Sequence, residues 1–110
     1  MKAKSEIDAG ICGFHTTVRA HSEDDQNVAF DVESTCEKIQ HLAICLKEKG
    51  PLDAYQEINP TSSSLLMESA RAALPGCCAG CAVPVGLFKA MQVAAGLALP
   101  KDIHVQMAQE

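Results

Sequence analysis

Apolar and polar residues alternate along the first third of the chain, and the spacing turns helical after residue 34. From Ser5 to Ile11 the alternation puts Ile7, Ala9 and Ile11 on one face, which predicts a strand. Gly10 and Gly13 flank Ile11-Cys12 and allow a bulge or tight turn there. Phe14, Thr16, Val18 and Ala20 alternate with His15, Thr17, Arg19 and His21, which predicts a second strand. A polar loop over residues 22–27 leads to Val28, Phe30 and Val32, a third strand and hairpin partner of the second.

Ser34-Thr35-Cys36-Glu37 has the form of a capping box, with Ser34 as N-cap, Cys36 at N2 and Glu37 at N3. The helix it opens carries Ile39, Leu42, Ala43 and Leu46 as its buried stripe, with Cys36 on the edge and His41 and Cys45 on the wetter side. Gly50-Pro51 ends it. Pro51 opens a short helix with Leu52, Tyr55 and Ile58 to one side, broken at Asn59-Pro60. Ser64 is the expected N-cap of a helix from Leu65 to Leu74, with Leu66, Ala70 and Ala73 or Leu74 inward. Pro84 suits the first turn of a further helix. Leu87, Phe88, Met91, Ala94 and Ala95 form its face, and Gly96 and Pro100 close it. Ile103, Val105 and Met107 alternate with His104 and Gln106, which predicts a last strand.

This order predicts an α/β domain of the α+β type, residues 1–110 forming a single domain. Its two layers are a mostly antiparallel sheet of about four strands and helices packed on one face of it. With 47% hydrophobic residues but only 4% aromatic and no Trp, the core is expected to be aliphatic and Ala-rich. A net charge of −5 and the lack of a basic stretch argue against nucleic acid as a partner. No apolar run reaches the roughly 18 residues of a membrane span, so no membrane is expected either. Met1-Lys2-Ala3-Lys4 leads into alternating residues rather than an apolar signal core, and a cytoplasmic location is expected. An open sheet edge would favour a homodimer or another protein partner.

Cysteine changes the picture. Three of the six fall within five positions, at Cys77, Cys78 and Cys81, between the Pro75-Gly76 turn and the helix at Pro84. In a cytosolic chain, such cysteines hold metal or react as thiols more often than they form disulfides. Unpaired N–H groups and the dipole at a helix N-terminus stabilise a thiolate. Cys78-Ala79-Gly80-Cys81 supplies one C-x-x-C, and the second pair of a zinc ribbon is missing. A metal therefore needs distant ligands, and Cys12 and Cys36 are the candidates. Cys12, Cys36, Cys77, Cys78 and Cys81 would suit zinc or an iron–sulfur cluster if those chain segments meet at one edge of the sheet. His15 is a spare ligand beside Cys12, whereas His41 and Cys45 alone make a poor site. No carboxylate pair, Ser–His–Asp arrangement or phosphate loop is present.

Ile11-Cys12-Gly13-Phe14, the helix start Thr35-Cys36, and Cys81-Ala82-Val83-Pro84 followed by Ala94-Ala95-Gly96-Leu97-Ala98-Leu99-Pro100 resemble a small uncharacterised family of methanogens and other anaerobes. The resemblance covers nearly the whole chain and implies an anaerobic, archaeal-type cytosol, which would protect thiolates and oxygen-sensitive clusters. Strands followed by two Cys-headed helices are more distantly similar to the TSCPD domain found beside some ribonucleotide reductases, without its Ser-Cys-Pro-Asp string. Cys81-Ala82-Val83-Pro84 is also similar to the Cys-Pro-x-Pro helix start of small sulfur-carrier proteins, with Ala in second place. Two working expectations result: a metal-binding module, or sulfur transfer and thiol redox with Cys81 as nucleophile and Cys78 as resolving thiol. Cysteines that merely pack inside a structural or interaction domain are the third.

Overall fold

The computed structural model describes all 110 residues, Met1–Glu110. Strands β1 (Lys2–Asp8), β2 (His15–His21) and β3 (Asn27–Ser34) form an antiparallel meander, and helix α1 (Glu37–Lys49) follows. The two-residue β4 (Leu52–Asp53) runs antiparallel to β3 and completes a four-stranded sheet in the order β1-β2-β3-β4. Helices α2 (Ala54–Ile58), α3 (Leu65–Ala73) and α4 (Val83–Ala94) come next, with a 3₁₀ turn, Gly76–Gly80, between the last two. The architecture is α+β, as the order of patterns predicts.

Period-two burial makes the sheet one-sided. Thr16, Val18 and Ala20 of β2 are buried, and the register sets Ile7, Ser5 and Ala3 of β1 and Ser34, Val32 and Phe30 of β3 beside them. The opposite face carries Lys2, Lys4, Glu6, Asp8, Arg19 and Glu33 and stays open to water. Helix α1 covers β3 and α4 covers β1 and β2, with α3 packed against both helices. Ile39, Leu42 and Leu46 of α1, Leu66 of α3, and Leu87 and Met91 of α4 meet over Val18 and Val28. Burying each such side chain is worth about 2 kcal/mol relative to exposure. Helix α4 sits unusually close to the sheet. A Cβ on Gly86 would fall 2.6 Å from Cγ1 and Cδ1 of Ile7 and 3.0 Å from Oγ of Ser5.

The structure departs from the sequence pattern in several places. Strand β1 ends at Asp8, because Gly10 and Gly13 both adopt positive φ and Gly13 N–H closes a turn on Gly10 C=O at 2.9 Å. Ile11 is thereby carried to full exposure at the tip. The expected strand over Ile103, Val105 and Met107 does not form, and residues 101–110 are exposed without regular structure. Alternation makes a strand only where the segment enters a ladder; β4 is the fourth strand, on the edge of β3, and the tail pairs with neither edge of the sheet. In α2, Leu52 belongs to the sheet and Tyr55 and Ile58 face solvent, while Ala54 and Glu57 point inward. Finally, the 19-residue stretch Gly76–Ala94 reaches a mean hydropathy of 1.4, long and apolar enough by composition to cross a membrane. Its continuous α-helix is only Val83–Ala94, about 18 Å of rise against a hydrocarbon core of about 30 Å, and one face of it lies in the protein core.

Polar side chains fasten the connections. Asp24 accepts hydrogen bonds from Gln26 N–H (3.0 Å), Asn27 N–H (2.8 Å) and Asn27 Nδ2 (2.9 Å) in the β2–β3 loop. These bonds, that from the Asn27 side chain foremost, hold its carboxyl well below the usual carboxylate range. Asp53 caps α2 through Tyr55 N–H (3.0 Å) and Gln56 N–H (3.3 Å) and accepts from Gln26 Nε2 at 2.8 Å, the largest cause of its own lowered pKa. Glu57 of α2 is buried against the start of α3. Its carboxylate accepts from Ser64 Oγ (2.7 Å), Leu65 N–H (3.0 Å) and Leu66 N–H (2.7 Å), while Ser64 Oγ caps Met67 N–H at 3.1 Å. Glu57→Ala strands those donors in a closed environment. It is expected to lower the free energy of unfolding by about 2–4 kcal/mol, measured by urea denaturation, whereas Glu68→Ala on the exposed side of α3 changes it by less than about 0.5 kcal/mol.

Candidate functional site

Five of the six cysteines lie at one end of the sheet. Cys12 is in the β1–β2 turn and Cys36 directly follows β3. The β2–β3 ladder continues into that end through Thr35 N–H to His15 C=O (3.2 Å) and His15 N–H to Thr35 Oγ1 (3.1 Å). Helix α4 starts at the same end, since its Gly86 rests on Ser5 and Ile7 while its last turn reaches Met1 at the other. The turn carrying Cys77, Cys78 and Cys81 is held there by the helix that follows it.

The start of α1 differs from a capping box. Ser34 remains in β3, opposite Thr16, and its hydroxyl hydrogen-bonds Thr16 Oγ1 at 2.8 Å and accepts Cys36 N–H at 3.1 Å. The helix therefore begins two residues later than the pattern predicts. Cys36 is the N-cap, with extended backbone and no side-chain cap bond, and its carbonyl accepts the first helical bond from Gln40 N–H at 2.9 Å. Lys38 then falls in the first turn, where a cation opposes the helix dipole.

Lys38 is placed by sulfur. Its Nζ donates to Cys78 Sγ at 3.2 Å. The Cys78 sulfur, through this hydrogen bond and then through its charge, raises the Lys38 pKa above the ordinary lysine value; burial opposes this, and Cys77 and Cys36 add smaller attractions. Cys78 is thus the sulfur in contact with the ammonium, forty residues away in sequence, with Cys77 and Cys36 acting on it only through charge. Cys36 and Cys78 are half-buried and pack against the core, whereas Cys77 is exposed.

Cys78 N–H bonds Pro75 C=O (3.3 Å) and Cys81 N–H bonds Cys78 C=O (3.1 Å), so the C-x-x-C is a single tight turn. Side chains three apart in such a turn lie on the same side. Cys81, half-buried and packed on the core, ends the turn one residue before Ala82, the N-cap of α4. All six thiols are free.

No three His, Cys, Asp or Glu side chains are grouped so that they could hold a metal ion. Cys12, Cys36, Cys77, Cys78 and Cys81 share an end of the sheet but not a common ligand point. Cys12 stands on the exposed glycine turn, and a cation already sits beside Cys78. His15 Nδ1 is engaged with Asp8 Oδ1 at 2.7 Å and its Nε2 lies 3.9 Å from Glu6 Oε1, so it faces carboxylates rather than sulfur. His41 and Cys45 lie further along α1, past the Lys38 turn. Lys38 escapes the sequence reading because a cap at Ser34 would put it in the second turn, where a lysine needs no explanation. A surface concavity lies elsewhere, on the open sheet face around Lys2, Lys4, Arg19 and His21.

Residues 3–107 match a family model described as a family of unknown function, DUF6951. No curated protein and no solved structure matches the chain.

If the Lys38 contact governs Cys78, Lys38→Met should slow Cys78 alkylation by iodoacetamide at neutral pH by roughly threefold to tenfold. Lys38→Arg should keep most of the rate, and Cys45 should be unaffected in both, all read by peptide mass spectrometry.

Proposed function

The chain belongs to this family of unknown function, DUF6951, and we propose that it works through a reactive thiol, Cys78, in thiol–disulfide exchange. The observation that carries the reading is the lysine ammonium 3.2 Å from Cys78 Sγ, in a turn that sets a second cysteine three residues on. Thiolate is the nucleophilic form of cysteine, and a neighbouring ammonium is the kind of group that supports it. Cys78 is therefore the attacking thiol and Cys81 the resolving one, the reverse of the roles that helix position alone suggests.

In the first step, Cys78 thiolate attacks one sulfur of a substrate disulfide. Its S–S bond breaks, a mixed disulfide forms on Cys78, and the first leaving thiolate departs with the bonding pair and takes a proton from water. Cys81 thiolate then attacks Cys78 Sγ and expels the second substrate thiolate. Two electrons pass from the cysteine pair to the substrate, and the new Cys78–Cys81 disulfide is returned to thiols by two equivalents of a low-molecular-weight thiol, which leave as their own disulfide. The metal-module reading, with zinc or an iron–sulfur cluster, has less support, because the cysteines form no ligand group of three and Cys78 is engaged with the Lys38 ammonium.

Glutathione disulfide is the probe. Cys81→Ser should accumulate a mixed disulfide on Cys78, Cys78→Ser should accumulate none, and the unmodified chain should pass to an internal Cys78–Cys81 disulfide. Stoichiometric zinc or iron on protein purified without oxygen, lost on Cys78→Ser, would establish the metal reading instead. A stable persulfide on Cys81 would establish sulfur transfer.

A further inference from the structure

The sheet has one long free edge. Strand β4 is only two residues, but β1 offers seven with no partner on its outer side. The backbone phase of that edge follows from the ladder with β2. Ser22 N–H donates to Met1 C=O and Ala9 N–H to Phe14 C=O, both at 3.0 Å and both in line with the β1–β2 register. Hydrogen-bonded pairs with β2 therefore fall on Ala3, Ser5 and Ile7. The N–H and C=O groups of Lys2, Lys4, Glu6 and Asp8 point outward.

The side chains of those same four residues lie on the open face of the sheet and carry an ordered charge pattern: two cations, a centre at Ser5, then two anions. Neither lysine has an acidic partner within the chain, and Glu6 and Asp8 meet only His15. Scattered lysines on an edge strand keep strands apart, but this pattern is self-complementary. Antiparallel pairing of two β1 strands about a two-fold axis at Ser5 sets Lys2 against Asp8 and Lys4 against Glu6 of the second copy. It also makes each of those pairs a hydrogen-bonded one, as the outward phase requires. The pairs between them, Ala3 with Ile7 and Ser5 with Ser5, are on the helix side and small enough for the close approach of non-hydrogen-bonded positions, about 4.5 Å between Cα atoms. Sliding the register by two residues would oppose Lys4 to Lys4 or Glu6 to Glu6, which like-charge repulsion disfavours.

We infer that the partner of the β1 edge is a second copy of this chain, joined in that register into one continuous sheet with closed two-fold symmetry. The cysteine ends of the two copies then lie beyond opposite ends of the paired strands, and the open face remains accessible.

Sedimentation velocity over a concentration series at low salt tests the inference. The unmodified chain should dimerise. Lys2→Glu with Lys4→Glu makes the edge wholly acidic, and Glu6→Lys with Asp8→Lys makes it wholly basic. Each double variant alone should raise the dissociation constant by about tenfold or more. Mixing the two should restore a one-to-one dimer, which also shows that both are folded. Amide exchange in the unmodified chain provides a second readout: Lys2, Lys4, Glu6 and Asp8 should gain protection as concentration rises. A monomer at every concentration, a dimer that persists in each variant alone, or unprotected edge amides would overturn the inference. So would a dimer lost only on removing residues 98–110, which would assign the edge to the alternating tail.

Discussion

The close seating of α4 on β1 is the constraint from which the rest follows. Gly86 allows it, because any side chain there would overlap Ile7 and Ser5. Ala90 and Ala94, further along the same buried face, keep the helix low over the sheet. Overpacking at such a contact forces a shift of the whole element, typically at 1–3 kcal/mol. A helix held at this height and direction has its N-terminus at the end of the sheet where β3 hands over to α1. The cysteine turn precedes that N-terminus directly, so the contact at Gly86 also fixes where Cys78 meets Lys38.

Much of the fold is legible because burial has a period. Val18 and Ala20 alternate with Arg19 and His21, and Ile39, Leu42 and Leu46 recur at helical spacing, so β2, β3, α1, α3 and α4 follow from pattern alone. The misreadings concern partners, which periodicity does not report. Ile103, Val105 and Met107 alternate as well as any strand, yet they pair with no strand although the outer edge of β1 is open. Glu57 carries no signal of burial in the sequence and is buried, because three donors at the start of α3 converge on it. Periodicity reports which face is apolar and does not report which polar group has been recruited inward.

The site was half legible for the same reason. Crowding of Cys77, Cys78 and Cys81 marks the place, and the topology brings Cys12 and Cys36 to the same end of the sheet. What a cysteine count cannot convey is the neighbour. Ser34 has two uses for its hydroxyl, to Thr16 and to Cys36 N–H, and this holds it in the sheet and starts the helix at Cys36. That two-residue difference turns Lys38 from an ordinary surface lysine into a first-turn cation facing sulfur. In the proposed function, the ammonium beside Cys78 makes that thiol, rather than Cys81, the leading one.

The most direct test of that assignment is a race among the six cysteines. Fully reduced, natively folded protein is exposed to a limiting amount of iodoacetamide at neutral pH, and the label on each cysteine is quantified by peptide mass spectrometry. Cys78 is expected to carry the most label although Cys12 and Cys77 are more exposed. Label distributed by exposure alone, or concentrated on Cys81, would contradict it.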